Sequence, residues 1–256
     1  MLHGNPDSGG LWDGVVRALG PGFRCVRPDM PGFGDSPPPP ADFDYLPGST
    51  VPLWDGLFET PRFETPRFET KPIIVVHDLG GLWLLPWVAR NADRVAGLVI
   101  INAPYSPDFR WHFWARVWQK PLLGELTGAL SPRAFFRWEM RRGSKGLPVA
   151  HCDEAFDRAT PSMRRSALRT YRAFADPQAT LADELPRLQR AMQTVPTRVL
   201  WGTRDPYFAP SVATAIGAPV DWLDVGHWAP VEAPGAVAAA VRSLAGANAG
   251  LPGLSC

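Results

Sequence analysis

Apolar positions in this chain cluster into short, nearly unbroken runs, and longer stretches with helical spacing lie between them. Ile73–Val76, Val95–Asn102, Thr197–Gly202 and Val220–Leu223 are rich in β-branched or large apolar residues. Runs of this kind predict strands buried on both faces, as in a parallel sheet. Phe23–Asp29 reads as a further short strand, and Met30–Ser36 after it is turn chemistry. Four prolines at 37–40 forbid regular structure. Gly81–Asn91 predicts a helix apolar on most sides, and Ala229–Leu244 an Ala-rich terminal helix interrupted near Pro234. Strands alternating with helices imply an α/β fold with a mostly parallel sheet flanked by helices. Residues 105–190 differ, with many Arg, several Trp and helical spacing but no clear strand. They predict a helical insertion suited to a lid, on a core made of residues 1–104 and 191–256.

The stretch 45–72 lacks the signature of a long helix. Within it Phe58-Glu59-Thr60-Pro61-Arg62 recurs as Phe63–Arg67 and partly as Phe68-Glu69-Thr70. A period of five fits neither helix nor strand, and each proline blocks helical hydrogen bonding. A neutral tandem expansion in a loop is the simpler reading, and a binding arm the alternative.

The chain has 256 residues with 45% hydrophobic and 20% charged, enough for one α/β domain with a sizeable core. A formal net charge of +1 argues against broad attraction to nucleic acid or anionic membrane. Cys25, Cys152 and Cys256 are widely spaced, with neither a disulfide framework nor metal-ligand spacing. No signal-peptide pattern and no run of about 20 apolar residues occurs. The expectation is a cytoplasmic protein acting on a small molecule and water, without cofactor or metal.

The most informative stretch is Pro72-Ile73-Ile74-Val75-Val76-His77-Asp78-Leu79-Gly80-Gly81. A polar residue at a strand tip, followed by glycines and a helix, matches a nucleophile elbow. Here the exposed residue of the elbow is Asp78. A helix N-cap is the alternative role, and the flanking His77 and two glycines favour the nucleophile. Asp205 follows the strand ending Leu200-Trp201-Gly202, and His227 stands in Val225-Gly226-His227-Trp228 before the last helix. Near the start, His3-Gly4-Asn5-Pro6 has the look of a loop whose N–H groups form an anion hole.

With these motifs the chain resembles the α/β-hydrolase superfamily over nearly its full length. Within it the likeness is to the aspartate-nucleophile branch, the haloalkane dehalogenases and related epoxide hydrolases. No Gly-x-Ser-x-Gly occurs. The resemblance implies a triad of Asp78, Asp205 and His227, with the N–H groups of Asn5 and Leu79 as anion hole and the Asn5 amide as halide donor. The chemistry agrees with it: a carboxylate of ordinary pKa about 3.9 is ionised at neutral pH and attacks carbon without a base. His227 would then activate water against the resulting ester, and Asp205 would hold the imidazole.

Two departures from the resembled pattern stand out. Dehalogenases carry tryptophan directly after the nucleophile, and here Leu79 offers no side-chain donor. Trp111, His112, Trp114 and Tyr171 are the donors available in the lid, with simple packing as the other role of the tryptophans. An epoxide hydrolase would need two lid phenols, for which Tyr171 and Tyr105 are the pair on offer. The second departure is at the front. Three strands precede the His3-Gly4 loop in the resembled fold, whereas Met1 and Leu2 precede it here. Each unpaired buried backbone group costs about 1–3 kcal/mol. That leaves three expectations: a longer true start, strands that close up or come from a second copy as a homo-oligomer, or a non-catalytic homologue.

Overall fold

The computed structural model describes residues 1–59 and 71–248. All but the first two residues of the Phe-Glu-Thr-Pro-Arg repeat, and Cys256, lie outside the described residues. Four strands form one parallel sheet in the order β1 (Ile73–His77), β2 (Gly97–Ile101), β3 (Thr197–Gly202), β4 (Val220–Leu223). In register, Val76 faces Ile100, Ile100 faces Val199, and Val199 faces Val220. Alternate side chains point to opposite faces, so each strand feeds two cores. Ile74, Val76, Leu98, Ile100, Val199 and Trp201 enter one core. Val75, Val99, Ile101 and Leu200 enter the other.

The first core is covered by α2 (Pro47–Glu59), α3 (Leu79–Arg90) and α9 (Pro177–Ala191). Every residue of α3 from Leu79 to Val88 is buried, as suits a helix that is apolar all round. On one flank the Trp54 indole of α2 donates to the Trp83 carbonyl at 2.8 Å. On the other, Arg90 pairs bidentately with Glu184 of α9 at 2.6 and 2.7 Å. The second core is covered by α1 (Asp13–Leu19), α11 (Ala229–Glu232) and α12 (Pro234–Asn248). Between β2 and β3 run α4 (Phe113–Trp118), α5 (Leu123–Leu130), α6 (Arg133–Gly143), α7 (Val149–Arg158) and α8 (Pro161–Ala173), followed by α9. Proline at the first turn and a side-chain cap start α8 and α9, where Thr160 and Asp176 accept from Met163 and Ala179 N–H. The last element, α10 (Pro210–Ala215), links β3 to β4.

Two sequence expectations are corrected. Phe23–Asp29 is extended but forms no strand. Beside it runs Met1, whose amine donates to Val26 O at 2.8 Å. Leu2 in turn bridges to Val76, its N–H reaching Val75 O at 2.8 Å and its carbonyl accepting from His77 at 3.0 Å. A ladder needs a partner of matching length, and two residues supply one bridge. At the outer edge of β1, Leu2 thus pairs the Val75 carbonyl and the His77 N–H. The second correction is α2, a 13-residue helix where none was expected. Pro47 opens it, and Pro52 forfeits a single bond to Gly48 near its start.

Candidate active site

The C-terminal ends of all four strands lie along one edge of the sheet, where open α/β sheets place their sites. Asp78 follows β1, Asn102 follows β2, Asp205 follows β3 and His227 follows β4. Asp78 is itself in the left-handed region, φ 49° and ψ −129°, which costs a non-glycine residue about 1–3 kcal/mol. The neighbouring glycines make room for a close approach. A Cβ on Gly80 would stand 2.4 Å from His3 O, and one on Gly4 would stand 2.4 Å from Asp78 Oδ2. They permit the His3–Asn5 loop to lie directly on the elbow. His3 braces that loop, its Nδ1–H donating to Gly4 O at 2.8 Å while Nε2 accepts from Met30 N–H at 3.0 Å.

The Asp78 carboxylate is buried and asymmetrically held. Oδ2 accepts the Asn5 N–H at 2.9 Å, and the Leu79 N–H also supports the carboxylate. Oδ1 lies 3.8 Å from His227 Nε2. Burial pushes the Asp78 carboxyl up to about 6, against the pull of His227 and the two N–H groups.

His227 Nδ1–H donates to Asp205 Oδ2 at 2.9 Å. Burial disfavours the imidazolium, but the charge and hydrogen bond of Asp205, then the Asp78 charge, outweigh it and raise the His227 pKa. Asp205 feels the same burial, yet His227, the Tyr207 N–H and the Asn102 amide keep its pKa low. Asn102 Nδ2 donates to Asp205 Oδ2 at 2.7 Å, and Tyr207 N–H to Oδ1 at 2.7 Å. Asn102, with φ 40°, also accepts the Gly202 N–H at 3.2 Å. The His227 loop is fixed from the turn after α6. Gly143 O accepts its N–H at 2.9 Å, and Ser144 Oγ accepts the Trp228 N–H at 2.8 Å. Behind it, His77 donates from Nε2 to His227 O at 3.0 Å. Burial and then the His227 charge push the His77 pKa down to about 3, so it stays neutral.

Asp78, Asp205, His227, Asn5 and Leu79 therefore come together. The lid candidates divide. Tyr171 lies beside the site, its hydroxyl accepting from Asn5 Nδ2 at 3.4 Å. Trp111 packs edge-on against Tyr171, and its indole N–H is spent on Phe174 O at 2.7 Å. Trp114 packs between Phe113 and Phe135, within α4 and against α6. Tyr105 is buried in the field of Glu184 and Arg90, beside the α3–α9 ion pair, so it does not complete a pair of phenols with Tyr171.

Three residues at the site, Asn102, Tyr207 and Ser144, escaped sequence reasoning, and His112, named only as an available lid donor, is fixed among them. Asn102 carried a usable signal, a polar residue ending an apolar strand, as Asp78 does. Tyr207 stands edge-on to His227 with ring centroids 5.0 Å apart, its hydroxyl donating to Glu139 O at 3.1 Å. His112 packs on Tyr207 at 4.8 Å and caps α4, Nδ1 accepting the Ala115 N–H at 3.4 Å. Burial, then His227, hold its pKa at about 3, so it is a neutral imidazole with its proton on Nε2. Ser144 had no signal, because its partner lies 84 residues away. His151 faces the buried Asp7 at 2.9 Å, and Asp7 also accepts the Trp228 indole at 2.7 Å.

Known proteins share this arrangement of elements. The chain is 29% identical over 223 residues to the cis-3-alkyl-4-alkyloxetan-2-one decarboxylase of Xanthomonas campestris pv. campestris, covering 80% of this chain and 71% of that protein. It is 24% identical to haloalkane dehalogenase 2 of Mycobacterium bovis over 94% of this chain and 85% of that one. The chain spans less than half the length of other curated relatives that it matches. Among solved structures it is similar to the Cif epoxide hydrolase of Acinetobacter nosocomialis, with TM-score 0.72, 18% identity, and coverage of 95% of this chain and 80% of that chain. The family model described as alpha/beta hydrolase fold matches residues 1–234, and with that the chain belongs to the α/β-hydrolase fold family.

Proposed function

We propose that this protein hydrolyses a small electrophile through an ester on Asp78, and that the electrophile is a strained oxygen ring such as an epoxide or β-lactone. The observation that carries the reading is the one-sided hold on the carboxylate. A serine hydrolase leaves its anion hole open for the carbonyl oxygen of the substrate. Here the Asn5 N–H is already directed at Asp78 Oδ2, so the oxyanion to be stabilised is the enzyme's own. Oδ1 remains to attack.

In the first step Oδ1 forms a bond to a ring carbon and the ring C–O bond breaks. The departing oxygen of an epoxide takes a proton from Tyr171, while a β-lactone opened at its alkyl carbon leaves as a carboxylate. In the second, His227 removes a proton from water, and the hydroxide adds to Asp78 Cγ. Oδ2 carries the negative charge toward the Asn5 and Leu79 N–H groups. Collapse expels the alkoxide, which takes the proton from His227 and leaves as a diol or hydroxy acid; the proton left on the Asp78 carboxyl then resets the Tyr171 phenolate after an epoxide, or passes to solvent after a β-lactone. Asp205, held by Asn102 and Tyr207, keeps the imidazole oriented. The helices from α4 to α8 act as the lid. Tyr171 favours an oxygen leaving group because it sits beside the Asn5 amide and carries a proton, whereas the indole of Trp111 has none to offer. The second reading is a haloalkane, supported by the Asn5 amide as halide donor and by the dehalogenase relative.

The test is intact-protein mass spectrometry of His227→Phe with an epoxide, a β-lactone and a haloalkane. Without its base, the ester should accumulate on Asp78. A strained ring adds its whole mass, and a haloalkane adds its alkyl group less the halide. No adduct from any compound that the wild type consumes would sink the ester scheme.

A further inference from the structure

The outer face of the helices between β2 and β3 inverts the usual arrangement of a surface helix. On α5 the small residues face inward: a Cβ on Gly124 would meet Trp118 O, Leu168 and Arg172, and one on Gly128 would approach Arg164. The leucines face out. Leu122 at its N-cap is 81% exposed and Leu130 is 69% exposed, with Leu126 and Leu123 half-exposed between them. Leu122, Leu126 and Leu130 recur every four residues, so they form one stripe. On the adjoining helices Phe113, 63% exposed, and Trp138, 57% exposed, end a continuous aromatic chain. It runs Phe113–Trp114–Phe135–Trp138 with centroid spacings of 5.1, 5.3 and 5.7 Å and joins α4 to α6.

Charge is distributed with the same bias. Residues 110–145 contain eight Lys or Arg against two Glu, a net +6, so the rest of the chain carries −5 within a total of +1. Arg133 and Arg137 pair with Asp153, and Arg142 with Glu139. Arg110, Arg116, Lys120, Arg141 and Lys145 are exposed and have no ion pair among the described residues. Their spacing is informative. Arg116 and Lys120 follow Phe113 by three and seven residues, and Arg141 and Lys145 follow Trp138 by the same intervals. Arg116 and Arg141 thus sit one turn from an exposed aromatic on its own helix face, and Lys120 and Lys145 lie just beyond the ends of the same helices.

We infer that this face docks on the surface of an anionic phospholipid bilayer. Leu, Phe and Trp with flanking Lys and Arg is the composition of helices that lie in the plane of the headgroups. Long basic side chains can reach phosphates while the apolar residues enter the acyl boundary. No described helix is long and apolar enough to cross a membrane, so the association is peripheral. A second copy fits the face poorly. Two-fold pairing sets the same patch against itself, and its exposed cations without ion pairs would repel those of the second copy. The inference is independent of the chemistry proposed for Asp78.

The test is sedimentation of the full chain with sucrose-loaded vesicles of phosphatidylcholine, alone or with about a quarter phosphatidylglycerol, at low and high salt. The wild type should pellet with the anionic vesicles at low salt and be released at high salt. Arg116→Ser with Lys120→Ser should weaken binding about 30-fold, from about 1 kcal/mol per cation near the surface. Leu126→Ser with Leu130→Ser should weaken it about 10-fold or more, with the melting temperature lowered by no more than about 2 °C from helix propensity, since both side chains are already exposed. Wild-type protein that stays in the supernatant, or binding unchanged by both pairs, overturns the inference. So does a wild-type dimer by light scattering that the leucine substitutions split, because that assigns the stripe to a second copy.

Discussion

Gly4 at the elbow and Gly124 on α5 both permit a close approach, Gly4 to the Asp78 side chain and Gly124 to the Trp118 carbonyl, but what they make possible is opposite. At the elbow the close approach of Gly4 buries a carboxylate and then satisfies it, with the Asn5 N–H on Oδ2 and His227 near Oδ1. On α5 the close approach of Gly124 to Trp118 leaves the leucines of the same helix in solvent. Both regions break the ordinary partition of polar and apolar groups. The elbow compensates internally, with preorganised donors, and the strain at Asp78 is held by packing on every side. The compensation for α5 has to come from outside the molecule. Internal compensation suits chemistry, and external compensation suits docking.

The largest test of this contrast removes the buried charge. Asp78→Asn should abolish turnover, by about 10^4-fold or more as for other members of a triad. It should also stabilise the fold. The folded-state pKa of Asp78 lies at about 6, raised from 3.8 by burial. Above pH 6 the folded protein therefore holds an ionised carboxylate less well than the unfolded chain does. A rise of that size corresponds to about 3 kcal/mol. The gain from Asn should be full above pH 6, shrink as pH falls, and vanish below about pH 4, where the acid is neutral in both states. Urea melts of both proteins at pH 4 and pH 8 measure it. Equal stability at pH 8 would mean that the N–H groups fully offset the burial.

Much of this arrangement is legible in the sequence, and the exceptions have physical reasons. The four strands and their order of chemistry are readable because buried parallel strands need unbroken apolar runs, and polar residues at their tips are conspicuous. Asn102 shares that signal but reads as part of its strand. Helix α2 is hidden by Pro47 and Pro52; Trp54, bonded to the Trp83 carbonyl, overrides local propensity there. Phe23–Asp29 has strand composition, but composition cannot supply a partner. In the lid, residue type suggests donors, while geometry decides which N–H groups are spent. The indole of Trp111 bonds Phe174, the imidazole of His112 caps α4, and only Tyr171 meets Asn5. The Trp111 and Tyr171 outcomes depend on contacts dozens of residues apart.

A smaller effect is expected from crowding the elbow. In Gly4→Ala the new methyl would lie 2.4 Å from Asp78 Oδ2 and 2.5 Å from its Cβ, so the loop or the carboxylate must move. A displacement of about 1 Å costs on the order of 100-fold in rate. Single-turnover kinetics on whichever compound His227→Phe captures should show that loss in ester formation. An unchanged rate would mean that the Asn5 loop can shift without disturbing the nucleophile.

The smallest effects come from the two glycines of α5, and they should differ in sign. Alanine at 124 would place a methyl 2.6 Å from the Trp118 carbonyl, a backbone atom that cannot swing aside. Overpacking of this kind costs about 1–3 kcal/mol, only partly offset by the better helix propensity of alanine. Alanine at 128 meets nothing nearer than Arg164 Cδ at 4.0 Å, so it should keep the full propensity gain of about 1 kcal/mol. For a chain of this length that corresponds to about 2 °C in melting temperature. Calorimetry of the two variants should therefore find Gly128→Ala melting above the wild type and Gly124→Ala below it. If both rise, α5 is free to lift from Trp118 and its leucine stripe is not rigidly presented. If both fall, Gly128 is also a packing glycine, and the helix is seated along its whole length.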